Sequence, residues 1–223
     1  HYYISPQVWA WKESRVKQMK LILDALYVIL PFEKNYFEKQ HQFPVHFVGH
    51  PLMDELSKYL KDPKFYKINN LNPKKPVIAL LPGSRLQEIK KMLPLFIQIS
   101  NHFKKFQFVI AGAPGINPEY YNSFIKSSSL NIIYKNTYQL LQNSCAALVT
   151  SGTATLETAL FNVPQLVCYK TNPMTYWIGK KIIKLKYISL VNLILEKEAL
   201  VELIQNDCRF EKLIYHLEIL LKK

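Results

Sequence analysis

Small polar residues at 151–153, with a glutamate four positions beyond, have the types and spacing of a site for an anion next to a hydroxyl-bearing group. The run Ser151-Gly152-Thr153-Ala154-Thr155-Leu156-Glu157 follows the apolar stretch Ala146-Ala147-Leu148-Val149 and opens a helical pattern through Ala159, Leu160 and Phe161. A strand therefore enters a tight turn and a helix leaves it. The unpaired N–H groups of a first helical turn, together with the positive end of the helix dipole, favour phosphate or another anion. Glu157, one turn inside the helix, is placed to accept hydrogen bonds from a ribose. The same residues also fit a plain helix start, with Ser151 or Thr153 as N-cap and Glu157 as a solvated or capping carboxylate.

A second turn has related chemistry. Pro76-Val77-Ile78-Ala79-Leu80-Leu81 reads as a buried parallel strand, and Pro82-Gly83-Ser84-Arg85 follows it directly. Gly83 permits close approach of a ligand to the backbone, Ser84 can cap, and Arg85 offers a planar fork suited to phosphate oxygens. Asn192, after the apolar residues 188–191, is a candidate for hydrogen bonding to a sugar or phosphate, or a turn residue. Tyr169 and Lys170, at the end of a further strand, are candidate cleft residues.

The elements that must position these residues alternate between strand and helix. Residues 1–60 read as strand Tyr2 to Ile4, helix Arg15 to Leu23, strand Ala25 to Leu30, helix Glu33 to Gln40, strand Val45 to Val48 and a short helix from Pro51. The polar stretch 61–75, with Asp62, Pro63, Asn69, Asn70, Asn72 and Pro73, reads as a linker. Residues 76–223 follow as one doubly wound α/β domain, with strands at Val77 to Leu81, Phe106 to Ala111, Asn131 to Tyr134, Ala146 to Val149 and Gln165 to Tyr169. A helix from Glu88 to Ser100 turns Ile89, Met92, Leu93, Phe96, Ile97 and Ser100 to one side, and Asp207 to Leu221 closes the chain. Open α/β sheets bind ligands at the carboxyl ends of their strands, where both turns lie.

Composition narrows the function classes. With 49% hydrophobic and 20% charged residues the chain is globular. It has no apolar stretch of the length of about 18 residues that a transmembrane helix needs. Cys145, Cys168 and Cys208 lack metal-ligand spacing and read as reduced thiols, so neither a metal site nor a disulfide framework is expected. The net charge of +13 suits phosphorylated substrates or an anionic membrane surface. Its lysines are dispersed, without the pattern of a nucleic-acid module, and no nucleic-acid partner is expected. Trp177 to Tyr187 mixes apolar and cationic residues as an interfacial helix does, or as an amphipathic helix packed on a core. Trp9 and Trp11 read as buried aromatics, His50 as a residue stabilising a turn, and Glu33 and Asp54 as first-turn carboxylates.

Seven ordered motifs resemble the lipid-A-disaccharide synthase family. They are Ser5-Pro6-Gln7-Val8-Trp9-Ala10-Trp11-Lys12, Leu30-Pro31-Phe32-Glu33, Phe47-Val48-Gly49-His50-Pro51-Leu52, Leu81 to Ile89, Ser151 to Glu157, Tyr169-Lys170-Thr171-Asn172-Pro173-Met174-Thr175-Tyr176-Trp177, and Tyr187-Ile188-Ser189-Leu190-Val191-Asn192-Leu193. The resemblance implies a GT-B glycosyltransferase with two Rossmann-like halves. It implies inverting transfer of 2,3-diacylglucosamine from its UDP derivative to 2,3-diacylglucosamine 1-phosphate, making lipid A disaccharide 1-phosphate and UDP. It further implies no metal ion or cofactor, a cytoplasmic location at the inner face of the inner membrane, and a homodimer. Gly83, Ser84, Arg85, Ser151, Gly152, Thr153, Glu157, Tyr169, Lys170 and Asn192 are then substrate-binding candidates. The family's general base is expected upstream of His1, so the catalytic residue is left unassigned and this chain alone is expected to be incomplete. The alternatives are another GT-B UDP-sugar enzyme, such as an N-acetylglucosaminyl transferase or an epimerase, and a non-catalytic nucleotide-binding fragment. The motifs at Trp9, His50 and Trp177 favour the first reading.

Overall fold

The computed structural model describes residues 1–126, 130–172, 176 and 186–222, and the chain falls into two units, His1–Glu55 with Met174–Lys186 and Leu56–Pro173 with Tyr187–Lys223. The stretch Trp177 to Tyr187 lies outside the described residues except for its last two.

In the first unit, strands β1 (Tyr2–Tyr3), β2 (Leu26–Val28) and β3 (His46–Phe47) form a parallel sheet in the order β1-β2-β3. Parallel neighbours need crossovers. Helices α1 (Val8–Trp11) and α2 (Arg15–Ile22) make the first, and α3 (Pro31–Asn35), running into a wide π turn at Tyr36–Gln40, makes the second. Their core is Val8, Val16, Met19, Leu26, Val28, Phe37, Phe43 and Val45. The helix expected from Glu33 begins at Pro31, because the Glu33 carboxylate folds back to accept the N–H groups of Ile29 at 3.1 Å and Leu30 at 2.9 Å. Glu33 also accepts the indole N–H of Trp9 at 3.0 Å. Trp9 is only half-buried, and Trp11, expected in the core, is 52% exposed with the Lys12 ammonium over its ring. Four residues of α1 cannot turn both indoles inward.

The second unit opens with α4 (Leu52–Ser57), which begins in the first, and α5 (Phe65–Ile68). Residues 61–75, read from composition as a linker, are packed: Phe65 and Leu71 are buried against the second unit's sheet. Two apolar anchors in a polar stretch are enough to dock it.

The sheet of this unit has six parallel strands, β4 (Val77–Leu81), β5 (Gln107–Gly112), β6 (Asn131–Tyr134), β7 (Ser144–Thr150), β8 (Gln165–Tyr169) and β9 (Glu202–Ile204). Their order is β6-β5-β4-β7-β8-β9. Helices α6 (Leu86–His102), α7 (Pro118–Ile125), α8 (Thr137–Gln142), α9 (Thr153–Leu160), α10 (Leu190–Leu195) and α11 (Phe210–Leu221) accompany it among the described residues. Strand alternation divides β4 between two cores: Ile78 and Leu80 enter the larger one with α6 and α11, while Val77, Ala79 and Leu81 enter the other with α8. In α6 the fully buried residues are Ile89, Met92, Leu93, Phe96 and Ile99; Ile97 packs against the same core partly buried, as expected, while Ser100 is half-buried with its hydroxyl on the Ile97 carbonyl. Each of these fully buried side chains stabilises the fold by about 1.5–3 kcal/mol. β9, with three residues, is too short to carry a periodic signal in the sequence.

Candidate functional site

The chain passes outward from β4 through β5 to β6, then returns to place β7 on the other side of β4. This reversal is the switch point at which open α/β sheets leave a crevice. Leu81 pairs with Val149 across it, so the turns after β4 and β7 lie side by side. Between them is a cleft of about 480 Å³ whose lining includes Gly83, Ser84, Arg85, Ser151, Gly152, Thr153 and Glu157. Seven of the ten sequence candidates therefore converge.

The two turns are built differently. In the first, Gly83 has φ +110°, and Arg85 rather than Ser84 occupies the N-cap position of α6. The Glu88 carboxylate accepts the N–H of Ser84 at 3.0 Å and of Arg85 at 3.2 Å, and its other oxygen meets the Arg85 guanidinium at 3.3 Å. An internal carboxylate thus already occupies this turn. The Arg85 side chain, 82% exposed, keeps most of its donors for a ligand.

The second turn is open. Gly152 has φ +155° and ψ −164°, a region essentially reserved for glycine. Ser151 is committed on both its polar hydrogens: its N–H donates to the Cys168 carbonyl at 3.1 Å and its hydroxyl to the Ile188 carbonyl at 3.0 Å. It anchors the turn and has no donor left for a ligand. The N–H groups of Gly152, Thr153 and Ala154 have no partner among the described residues. Beside them, Thr150 lines the cleft and its buried hydroxyl is also unpartnered. Three backbone donors, a hydroxyl and a helix N-terminus make an anion cradle.

Glu157 receives the Tyr138 hydroxyl at 3.3 Å, and burial raises its carboxyl above the ordinary value, with that hydrogen bond opposing. Pro114, Thr137 and Glu157 are shared with an adjoining pocket lined by Tyr59, Lys135, Asn136 and Tyr138. Arg85 supplies the positive charge of the main cleft; Glu88 and Glu157 supply the negative.

Three candidates are placed elsewhere. Tyr169 ends β8, Lys170 follows it, and neither is among the cleft's lining. Asn192 is fully buried, and its amide makes four internal hydrogen bonds: to the Leu200 carbonyl and Glu202 from Nδ2, and from the N–H groups of Ala199 and Leu200 to Oδ1. Both donors and both acceptor sites are filled, so Asn192 closes a loop instead of facing a ligand. Sequence reasoning missed the end of β5 and the residues after it, Ala111 to Pro114, which also line the cleft, although Gly112-Ala113-Pro114-Gly115 after an apolar run was the available signal. Nothing in the spacing could have paired Tyr138 with Glu157. In the first unit, His50 accepts the Leu52 N–H at 3.2 Å in a local turn, and burial lowers its pKa, favouring the neutral ring.

Among the described residues, no group of three or more His, Cys, Asp or Glu could hold a metal ion, and no helix is long and apolar enough to cross a membrane. The three cysteines are free thiols.

Comparison with known proteins gives the chain's relatives. The family described as Lipid-A-disaccharide synthetase matches residues 1–223. A lipid-A-disaccharide synthase of Coxiella burnetii (strain Dugway 5J108-111) is 40% identical over 210 residues, 92% of this chain and 55% of that protein. The chain thus spans about half the length of the curated relatives it matches. Among solved structures, the Methanocaldococcus jannaschii UDP-GlcNAc 2-epimerase, in complex with UDP-GlcNAc and UDP, has TM-score 0.60 at 18% identity, over 91% of this chain and 56% of that one. WaaG, a glycosyltransferase involved in lipopolysaccharide biosynthesis, has TM-score 0.54 at 12% identity, over 89% and 54%. The fold is that of the GT-B glycosyltransferases and epimerases.

Proposed function

Since the chain belongs to the lipid-A-disaccharide synthetase family, we propose that its second unit holds the UDP part of a UDP-2,3-diacylglucosamine donor. The whole protein then transfers the diacylglucosamine to 2,3-diacylglucosamine 1-phosphate, giving lipid A disaccharide 1-phosphate and UDP. The observation that carries this reading is the anion cradle at the switch point: the unpaired N–H groups of Gly152, Thr153 and Ala154 beside the orphan Thr150 hydroxyl.

As the sugar–phosphate bond breaks, negative charge grows on the departing diphosphate. Fixed N–H donors and a helix N-terminus stabilise it without reorganising, and Arg85 adds a mobile cation. Glu157 accepts the ribose hydroxyls in the reading proposed here, with Tyr138 holding its carboxylate in place. The general base is assigned to none of the cleft residues.

We further propose that the protein acts at the inner face of the inner membrane and as a homodimer, with its net charge of +13 favouring an anionic surface. Sedimentation with anionic and neutral vesicles tests the first, and molar mass by light scattering the second.

The decisive experiment is calorimetric titration of UDP into the chain and into an Arg85→Ala, Glu157→Ala double variant. Binding by the parent that is lost in a folded variant supports the donor site. A folded parent that binds no UDP overturns it.

A further inference from the structure

We propose that Glu202 is a positioning residue for the anion cradle, an inference that rests on the donor-site reading above. Glu202 opens β9, and its carboxylate accepts four hydrogen bonds, all from the turn at 188–192. Oε2 takes the Ile188 N–H at 2.9 Å; Oε1 takes the Ser189 N–H at 3.0 Å, the Ser189 hydroxyl at 2.7 Å and the Asn192 amide at 2.8 Å. One carboxylate therefore organises the whole turn.

That turn in its turn holds the cradle. The Ile188 carbonyl, which shares its peptide group with the Ser189 N–H held by Glu202, receives the Ser151 hydroxyl at 3.0 Å. Ser151 is also held through its N–H on the Cys168 carbonyl, and the next residue is Gly152, where the unpaired donors begin. The relay is continuous: Glu202 carboxylate, Ile188–Ser189 peptide, Ser151 hydroxyl, Gly152 turn. Preorganised donors act only while their direction is fixed, and Gly152 by itself has no side chain to fix it. Asn192 supports the same carboxylate while closing residues 199–200 onto α10.

A carboxylate is required because all four partners are donors. A glutamine in its place would turn its own N–H₂ toward at least one of them, leaving like facing like. Glu202 does not line the cleft and touches no ligand in this scheme.

The test uses the full chain with Glu202→Gln, Ser151→Ala and the double variant, read by amide exchange without ligand and by UDP calorimetry. Ser151→Ala breaks the relay at its far end and keeps the test open if Glu202→Gln folds poorly. Expected is faster exchange at Ser151 and Thr155 with little change at Val77–Leu81. UDP binding should weaken about tenfold in each single variant, as the cradle's donors lose their fixed direction. The double variant should bind no worse than the weaker single one, since both break one relay. Equal UDP affinity of parent and Glu202→Gln overturns the inference, as does faster exchange spread evenly over the sheet. If the parent itself binds no UDP, the donor reading fails, and selective exchange at 151–155 still decides whether Glu202 positions the turn.

Discussion

The carboxylate of Glu88 lies against Gly83: a Cβ built on Gly83 would stand 2.5 Å from Glu88 Oε2 and 2.7 Å from its Cβ. The glycine thus has two reasons to be there, its φ of +110° and the room its neighbour needs. Gly83→Ala should lower stability by about 2 kcal/mol through backbone strain, and also push Glu88 off the N–H groups it caps. Urea unfolding of parent and variant gives the first number. Loss of the α6 N-terminal turn, seen as faster amide exchange at Ser84 and Arg85, gives the second.

Arg85 is exposed and, among the described residues, paired only with Glu88, a surface ion pair of little worth. Arg85→Ala should therefore change stability by less than about 0.5 kcal/mol. UDP affinity should fall by about 10–100-fold, the loss of a charge-assisted contact, in calorimetry on the same samples.

Thr150→Val keeps the shape and removes a buried hydroxyl that has no partner among the described residues. Stability should stay level or rise by about 1 kcal/mol, while UDP binding weakens severalfold. A variant both more stable and weaker in binding is the signature of a polar group held for a ligand.

Glu157 gives a pH dependence of definite sign. Burial raises its folded carboxyl pKa above the ordinary value of 4.5, so the folded state binds the proton more tightly than the unfolded one. The resulting stabilisation is complete below the ordinary value and is lost as pH rises through the raised one. Glu157→Gln should match the parent in acid and exceed it at neutral pH. Melting temperatures of both proteins from pH 4 to 7 measure the divergence.

Asn192→Ala should be among the most damaging small substitutions in the second unit, because it orphans the Ala199 and Leu200 N–H groups together. The expected loss is about 2–4 kcal/mol, read in urea, as for other broken buried networks.

The sequence by itself determined the site's ingredients and the α/β class. Continuous apolar runs such as Val77–Leu81, each followed by a small-residue turn and a helical pattern, are local signals, and both anion-suited turns were legible from them. Element ends were less so: α3 begins two residues before Glu33 because Glu33 folds back over the N–H groups of Ile29 and Leu30, a contact that propensity does not encode. Only the tertiary structure decided which candidates face the cleft. The pairing of Leu81 with Val149 sets the two turns together, while Tyr169 stands outside and Asn192 turns inward to Glu202. It also separated two turns that read alike, one filled by Glu88 and the other open. The physical reason is that a hydrogen-bonding group is free or used according to partners many residues away in the chain, such as Tyr138 for Glu157 and Ile188 for Ser151. Spacing along the chain carries no record of those partners.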